Sequence, residues 1–319
     1  MPPNLFAIAG VVAVALLLLR AVDTIIVYLR PSKLARYRHT KNSQPAWALV
    51  TGASDGIGKA FAHSLAESGF NVVIHGRNPT KLAVVLAQLE STYPLRSFRV
   101  LLADATNCAH DTFKDIVHRL SDLHLTILVN NVGSVSRRAT STDYRPLDDY
   151  THAELVDTVA LNVLFPTLLT RALTPTLAAN GPALIVFLGS VADLGLPLVA
   201  PYGASKTYLG TLAESLALEM KITKRDIEVL HVRVGPVTGV ANVWRPPSWL
   251  QPHATTLART VLDRVGCGRA VVVPYVPHAL KLVVTSLLPR RVRDASASKM
   301  MVNLAREGPN SGHEKKKGM

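Results

Sequence analysis

The stretch Leu49-Val50-Thr51-Gly52-Ala53-Ser54-Asp55-Gly56-Ile57-Gly58-Lys59-Ala60 decides how the rest of the chain is read. It passes from a short apolar run through three glycines into helix-forming residues. Glycine permits the tight turn and lets backbone N–H groups come close to a pyrophosphate, and the start of the following helix favours negative charge. The spacing is G-x-x-x-G-x-G rather than G-x-G-x-x-G. Taken alone, such a loop suits an ordinary strand-to-helix turn as well as a phosphate cradle.

The flanking pattern favours the cradle. Apolar runs at Trp47–Thr51, Asn71–Ile74, Phe98–Leu102, Thr126–Asn130, Ala183–Leu188, Glu228–Val234 and Ala270–Val273 alternate with helical stretches, with no internal repeat. Short apolar runs separated by helices predict a parallel sheet buried on both faces, hence an α/β fold of the doubly wound Rossmann type. The second run ends in His75-Gly76-Arg77-Asn78. A site for NAD would carry Asp or Glu here for the ribose 2′-hydroxyl. Arg77 instead suits a 2′-phosphate through planar, charge-assisted hydrogen bonds, so NADPH is the expected cofactor; the alternative is a solvated surface arginine.

Further on, Ile185-Val186-Phe187-Leu188-Gly189-Ser190 sets Ser190 at the end of a buried strand, and Tyr202-Gly203-Ala204-Ser205-Lys206 follows. Tyr202 and Lys206 are four apart and share a helix face. A phenol of pKa ~10 is a poor acid at neutral pH, and a neighbouring ammonium stabilises the phenolate and lowers that pKa. Ser190 is placed to orient a carbonyl oxygen. A lone Y-x-x-x-K is usually a surface helix face, but downstream of the glycine loop, Arg77 and a strand-end serine it points to carbonyl reduction.

Composition and charge limit the alternatives. With 319 residues, 48 % apolar and 18 % charged, the chain is not a disordered one, and Cys108 and Cys267 are too few for a disulfide framework or a cysteine zinc site. The net charge of +13 sits at the ends: +5 in residues 1–41, +5 in residues 290–319 and only +3 between them. A nearly balanced body argues against nucleic acid as a partner. Leu5 to Leu29 is apolar apart from Arg20, Asp23 and Thr24, and as a helix it is about 37 Å long, enough to cross a bilayer. Arg20 and Asp23, three apart, can pair on one helix face. A secretory signal peptide fits poorly, because Met1-Pro2-Pro3-Asn4 carries no basic residue and no A-x-A site follows; an interfacial helix is the other alternative. Arg30, Lys33, Arg36, Arg38 and Lys41 come next, which by the positive-inside rule makes that side cytosolic. The expected organisation is an anchor over 1–29, a basic linker over 30–45, a reductase domain over 46–289 and a basic tail over 290–319.

With these motifs in hand, the chain resembles the short-chain dehydrogenase/reductase family over about residues 45–285. The family's T-G-x-x-x-G-x-G loop is Thr51 to Gly58, so the resemblance assigns Gly52, Ser54, Asp55, Gly56, Ile57 and Gly58 to the cofactor. It implies that Asp104 contacts adenine, that Asn130-Asn131-Val132-Gly133 stands for the N-N-A-G motif with Asn131 at the cofactor, and that Val237 meets the nicotinamide amide. It also implies a tetrad of Asn162, Ser190, Tyr202 and Lys206, in which Asn162 holds a water linking Lys206 to solvent and Tyr202 and Lys206 also bind the cofactor. After the sixth strand the family has P-G-x-V-x-T, whereas Val234-Gly235-Pro236-Val237-Thr238-Gly239 lacks the first proline and has its threonine one place early.

A narrower likeness rests on Asn-Asn-Val-Gly at 130–133, on Ser54 to Lys59, and on Gly266-Cys267-Gly268 followed by Pro277-His278-Ala279-Leu280. It is to the membrane-bound very-long-chain 3-oxoacyl-CoA reductase and 17β-hydroxysteroid dehydrogenase group. That likeness implies endoplasmic reticulum anchoring by one span with a cytosolic catalytic domain, and a dilysine address at Lys316-Lys317. A long-chain 3-oxoacyl-CoA is the first expected substrate, with fatty-acid elongation enzymes as partners; a steroid or other hydrophobic ketone is the second. A catalytically silent NADPH-binding membrane scaffold is the rival of another class. The charged segment Ser134–Asp149 is either a CoA-binding rim or a solvated loop. Leu280, Val283, Val284, Leu287 and Leu288 follow helical spacing and predict an amphipathic helix, packed on the core, on a second copy in a homodimer, or on a membrane surface. His278 is read as structural.

Overall fold

A computed structural model describes residues 5–135, 144–240 and 246–307. The apolar runs form seven strands: β1 (Trp47–Val50), β2 (Asn71–Gly76), β3 (Phe98–Leu102), β4 (Leu125–Asn130), β5 (Ala183–Leu188), β6 (Ile227–Val232) and β7 (Val271–Val272). They lie in one sheet in the order β3-β2-β1-β4-β5-β6-β7, every pair parallel. Side chains alternate between two cores, as the two-residue period of a strand requires. Val50, Ile74, Val129, Val186 and Val232 face helices α2 (Gly56–Glu67), α3 (Pro79–Thr92) and α8 (Ala254–Leu262), with Phe61, Leu82 and Val261 in the packing. Leu49, Val73, Leu128, Ile185 and Val229 face α4 (His110–Arg119), α6 (Phe165–Ala179) and α7 (Ala200–Ile222), with Phe113, Leu169 and Leu209. Chain order reverses between β1 and β4, so the crevice for a ligand opens at the carboxyl ends of those strands.

One helix carries a local departure. Helix α5 (His152–Val159) starts with a reciprocal cap, Thr151 accepting from the Glu154 backbone while Glu154 accepts from Thr151. It continues through a π-turn, Ala160–Leu164, into α6. Pro166 has no N–H to give the Asn162 carbonyl four residues back, and the wider turn absorbs the lost bond. The whole His152–Ala179 helix has the length and hydropathy of a membrane span, yet Phe165, Leu169, Leu173 and Leu177 are buried in the core.

The ends of the chain depart from a simple anchor, linker and tail. Helix α1 runs Leu5–Leu29. The expected Arg20–Asp23 pair lies outside the described side chains at Arg20; Asp23 is paired with Arg269. Residues 30–45 form a docked strap rather than a free linker. Tyr37 is fully buried, its hydroxyl donating to Glu228 at 2.5 Å, and its carbonyl accepts from Thr126. Arg30 donates to Cys267 O, Arg36 pairs with Asp226, Arg38 donates to Ser68 O and Lys41 to Ala179 O. Four of the five basic residues that read as linker charge are thus spent on carbonyls and acids of the body. The amphipathic stretch is α9 (Val276–Leu287), with Pro277 in its first turn, where a missing N–H costs nothing. Residues 290–307 of the expected tail are helical, α10 (Arg290–Glu307). The dilysine pair lies outside the described residues, as does 136–143 of the charged segment.

Candidate active site

The glycine loop leaves β1 and enters α2. Gly52 and Gly56 have φ of +66° and +55°, a left-handed backbone that disfavours any side chain. At Gly58 a Cβ would overlap Gly52 O and stand 2.5 Å from Asn131 Nδ2. Thr51 locks the turn: its hydroxyl accepts from the N–H of Asn131 and of Val132, each at 3.0 Å, and donates to Val129 O. Asn131 Nδ2 donates to Thr51 O at 2.8 Å. The Asp55 carboxylate accepts from Gly56 N and lies 3.6 Å from Lys81. Ser54 is half-buried in the loop and Ile57 packs on the core beneath it. The cradle is therefore a backbone surface that a Cβ would fill, at the N-terminus of a twelve-residue helix. A dinucleotide pyrophosphate fits those features.

Three further predicted positions follow strands β2, β3 and β6. Arg77 is exposed just past β2, the strand beside β1. Asp104 follows β3, its carboxylate accepting from the Thr106 N–H and hydroxyl at 3.0 Å. Val237 is buried in the segment after β6, and Val240 of that segment comes within van der Waals reach of a Cβ at Gly56. His75 is buried against Phe165, ring centroids 5.2 Å apart, and its carbonyl accepts from Ala53. Burial draws it down to about 4, so it is neutral at physiological pH.

Next to the cradle, Ser190, Tyr202, Lys206 and Asn162 come together. Ser190 caps the turn after β5, accepting from Ala192 N, and lies within hydrogen-bonding reach of the Tyr202 hydroxyl. Lys206 is buried; its ammonium donates to Leu188 O at 2.8 Å and stands 5.4 Å from the Tyr202 ring centroid. Asn162, on the π-turn, accepts from Ser134 N at 3.1 Å and donates to Ser134 O at 2.9 Å. A Cβ on Gly133 would stand 2.8 Å from Asn162 Oδ1 and 3.0 Å from Lys206 Nζ, so that glycine lets the asparagine and the lysine approach one another.

The electrostatics differ from the sequence expectation at one point. Burial pushes the Tyr202 phenol above its ordinary value, with the Ser190 hydrogen bond pulling the other way, and Lys206 is not among the groups that move it. The lysine's charge is directed at Leu188 O instead. Burial also draws Lys206 down from 10.5 to about 8. At pH below about 8 the ammonium is charged in both folded and unfolded chain, and the folded one bears the desolvation cost. Between that value and 10.5 the unfolded chain binds more protons, so stability rises with pH, by about 3 kcal/mol across the window. Chemical denaturation of the wild type and Lys206→Met at neutral and alkaline pH is expected to show this rise only in the wild type. Equal slopes would contradict it.

Some contributors were not legible beforehand. His231 on β6 is fully buried beneath Gly189, where a Cβ would overlap its ring, with Gly210 at ordinary contact distance. A histidine in an apolar run is the only signal it gives. His278 accepts from Gly235 N–H at 3.3 Å and contacts Leu250 O at 3.1 Å, tying together the two segments that follow β6. The structural reading of His278 agrees with this.

The chain is similar to known proteins in sequence and in fold. A family model described as short chain dehydrogenase matches residues 46–246. The chain is 33 % identical over 272 residues to a very-long-chain 3-oxoacyl-CoA reductase of Caenorhabditis briggsae, covering 82 % of this chain and 81 % of that protein. It is 35 % identical over 246 residues to one of Coprinopsis cinerea, covering 74 % and 70 %. A short chain dehydrogenase from Burkholderia cenocepacia, solved in complex with NADP, superposes with a TM-score of 0.61 at 25 % identity, over 71 % of this chain and 94 % of that one. A match over most of the catalytic body, with relatives at 33 % and 35 % identity over most of the chain, makes the chain a member of the short-chain dehydrogenase family and an oxidoreductase acting on the CH–OH/C=O pair.

Proposed function

We propose that the protein reduces the ketone of a long-chain 3-oxoacyl-CoA with NADPH, on the cytosolic side of the endoplasmic reticulum membrane. The observation that carries this reading is the meeting of Ser190, Tyr202 and Lys206 beside the cradle in a chain whose relatives bear that reductase name. The cradle would be held against the cofactor by Gly52, Ser54, Gly56, Ile57 and Gly58, with Asp55, Asp104, Asn131 and Val237 around it and Arg77 at the 2′-phosphate. When bound there, the reduced nicotinamide supplies a hydride to the carbonyl carbon.

Tyr202 gives its phenolic proton to the carbonyl oxygen as negative charge develops. Ser190 donates a hydrogen bond to the same oxygen and aims it at the phenol. Lys206, its ammonium donating to Leu188 O and 5.4 Å from the Tyr202 ring centroid, would hold the nicotinamide ribose beside the phenol. Asn162 holds Ser134 by both its backbone groups and so fixes the wall next to Lys206. Helix α1 has exposed apolar residues along its length, among them Val11, Leu18, Val22 and Leu29, as a lipid-facing helix requires. The body is bonded to Arg30, Arg36, Arg38 and Lys41 and therefore lies on the side those charges choose.

The purified full chain in phosphatidylcholine vesicles, given NADPH and a 3-oxoacyl-CoA series, is expected to turn over faster with chain length and to lose apparent affinity as salt rises. Turnover confined to steroid ketones, or no turnover of any lipid ketone, would overturn the substrate assignment. Arg77→Ala is expected to raise KM for NADPH about 10–100-fold, the worth of a charge-assisted bond, and to leave KM for NADH nearly unchanged. Parallel losses with both cofactors would remove Arg77 from the 2′-phosphate.

A further inference from the structure

The end of the anchor and an unpartnered apolar face meet at one edge of the sheet. Tyr28, in the last turn of α1, donates to Val273 O at 2.8 Å, three residues before α9 begins. Arg264 donates to Val27 O, and Arg269 pairs with Asp23. These bonds fix the anchor's exit point beside α9. Helix α9 buries only Pro277 and His278, both in its first turn. Beyond that turn Leu280, Val283, Val284 and Leu287 are 50 %, 52 %, 60 % and 80 % exposed. Their spacing places them on one stripe of the helix. Trp249, 65 % exposed, and Leu250 lie in the segment that His278 ties to the start of α9. Arg290, Arg291 and Arg293 follow at once, exposed, with Asp294 the one acid among them.

We propose that the α9 stripe, with Trp249 and Leu250, rests in the interface of the same bilayer that α1 crosses, with Arg290, Arg291 and Arg293 at anionic headgroups. This rests on reading α1 as the membrane anchor. The apolar stripe supplies buried area, an aromatic side chain favours the headgroup level, and the arginines supply attraction to acidic lipid. Continuity with the anchor chooses the bilayer over a second copy of the chain, because a helix that begins three residues after Val273, the anchor's bonding partner, cannot move far from the surface. The consequence for the reaction is positional. His278 on α9 also holds Gly235, at the head of the segment that reaches the glycine loop through Val240. A lipid-borne ketone would then enter from the membrane side.

The test uses the full chain carrying Val284→Cys, labelled with NBD and reconstituted in vesicles of phosphatidylcholine and phosphatidylserine. A Val84→Cys label on α3 serves as the water-facing control, and the unsubstituted chain gives the background from Cys108 and Cys267. The 284 label is expected to shift to the blue and lose more than about half its emission to doxyl-lipid, while the 84 label does neither. A 284 label that stays in water, in a chain that resists alkaline carbonate extraction, overturns this inference and leaves the anchor standing. A label shielded from water but untouched by doxyl-lipid, with self-quenching that rises with protein density, assigns the face to a second copy instead. Extraction of the chain by carbonate overturns the anchor reading itself.

Discussion

Tyr202→Phe is expected to lower turnover by about 10²–10⁴-fold while leaving cofactor affinity within a few-fold of wild type. The substitution removes one oxygen and keeps the ring, which is half-buried under the Lys206 ammonium at 5.4 Å from its centroid. Packing is therefore retained and the acidic proton is lost. Ser190 remains to polarise the carbonyl, but no phenolic proton is left to neutralise the developing alkoxide. The measurement is single-turnover oxidation of NADPH together with a fluorescence titration of the cofactor. Reduction at the wild-type rate would show that another group supplies the proton. Loss of binding along with turnover would show that the phenol serves the fold rather than the chemistry.

Gly58→Ala is the change with the largest expected effect on the cradle. Its Cβ would meet backbone atoms, Gly52 O and Gly52 C at 2.7 Å, as well as Asn131 Nδ2 at 2.5 Å. Backbone cannot swing aside as a side-chain end can, so the loop must open. Overpacking of this kind costs about 1–3 kcal/mol, and the bonds from Asn131 Nδ2 to Thr51 O and Gly52 O are lost with it. The variant is expected to melt lower by several degrees and to bind the cofactor at least ~100-fold more weakly. Gly10→Ala, at a site with no heavy atom within 4 Å, is the matched control and should change neither quantity. A Gly58→Ala protein with unaltered affinity would mean that the turn is not the pyrophosphate seat.

The parts of the protein that were legible in advance are those with a local signature. Ala183–Leu188 was delimited to the residue, because a parallel strand buried on both faces is a short continuous apolar run bounded by polar or turn residues. Leu5–Leu29 was legible because an apolar run of that length has few other structures open to it. The glycines were legible because a left-handed backbone, or a backbone approach closer than a Cβ allows, leaves no alternative residue. The strap over residues 30–45 was not, because its arginines and lysine look the same in sequence whether they meet water or the carbonyls of residues far along the chain, Ala179 and Cys267 among them. The direction of the Tyr202 shift was misjudged for a related reason: four-residue spacing shows that a lysine is near, but not that Leu188 O holds it.

By itself, the order of residues determined the fold class and proposed the cradle and the candidates Ser190, Tyr202 and Lys206, since each signature depends on spacing within one strand, turn or helix. Only the tertiary structure decided what those groups face. It brought Asn162 to Gly133 and Lys206 beyond the ends of β4 and β5, buried His231 beneath Gly189, and fastened the end of α1 beside α9. The physical reason is the range of the interactions. Propensity and periodicity act over a few residues, whereas desolvation and hydrogen-bond partnership depend on atoms that only folding brings within a few ångströms.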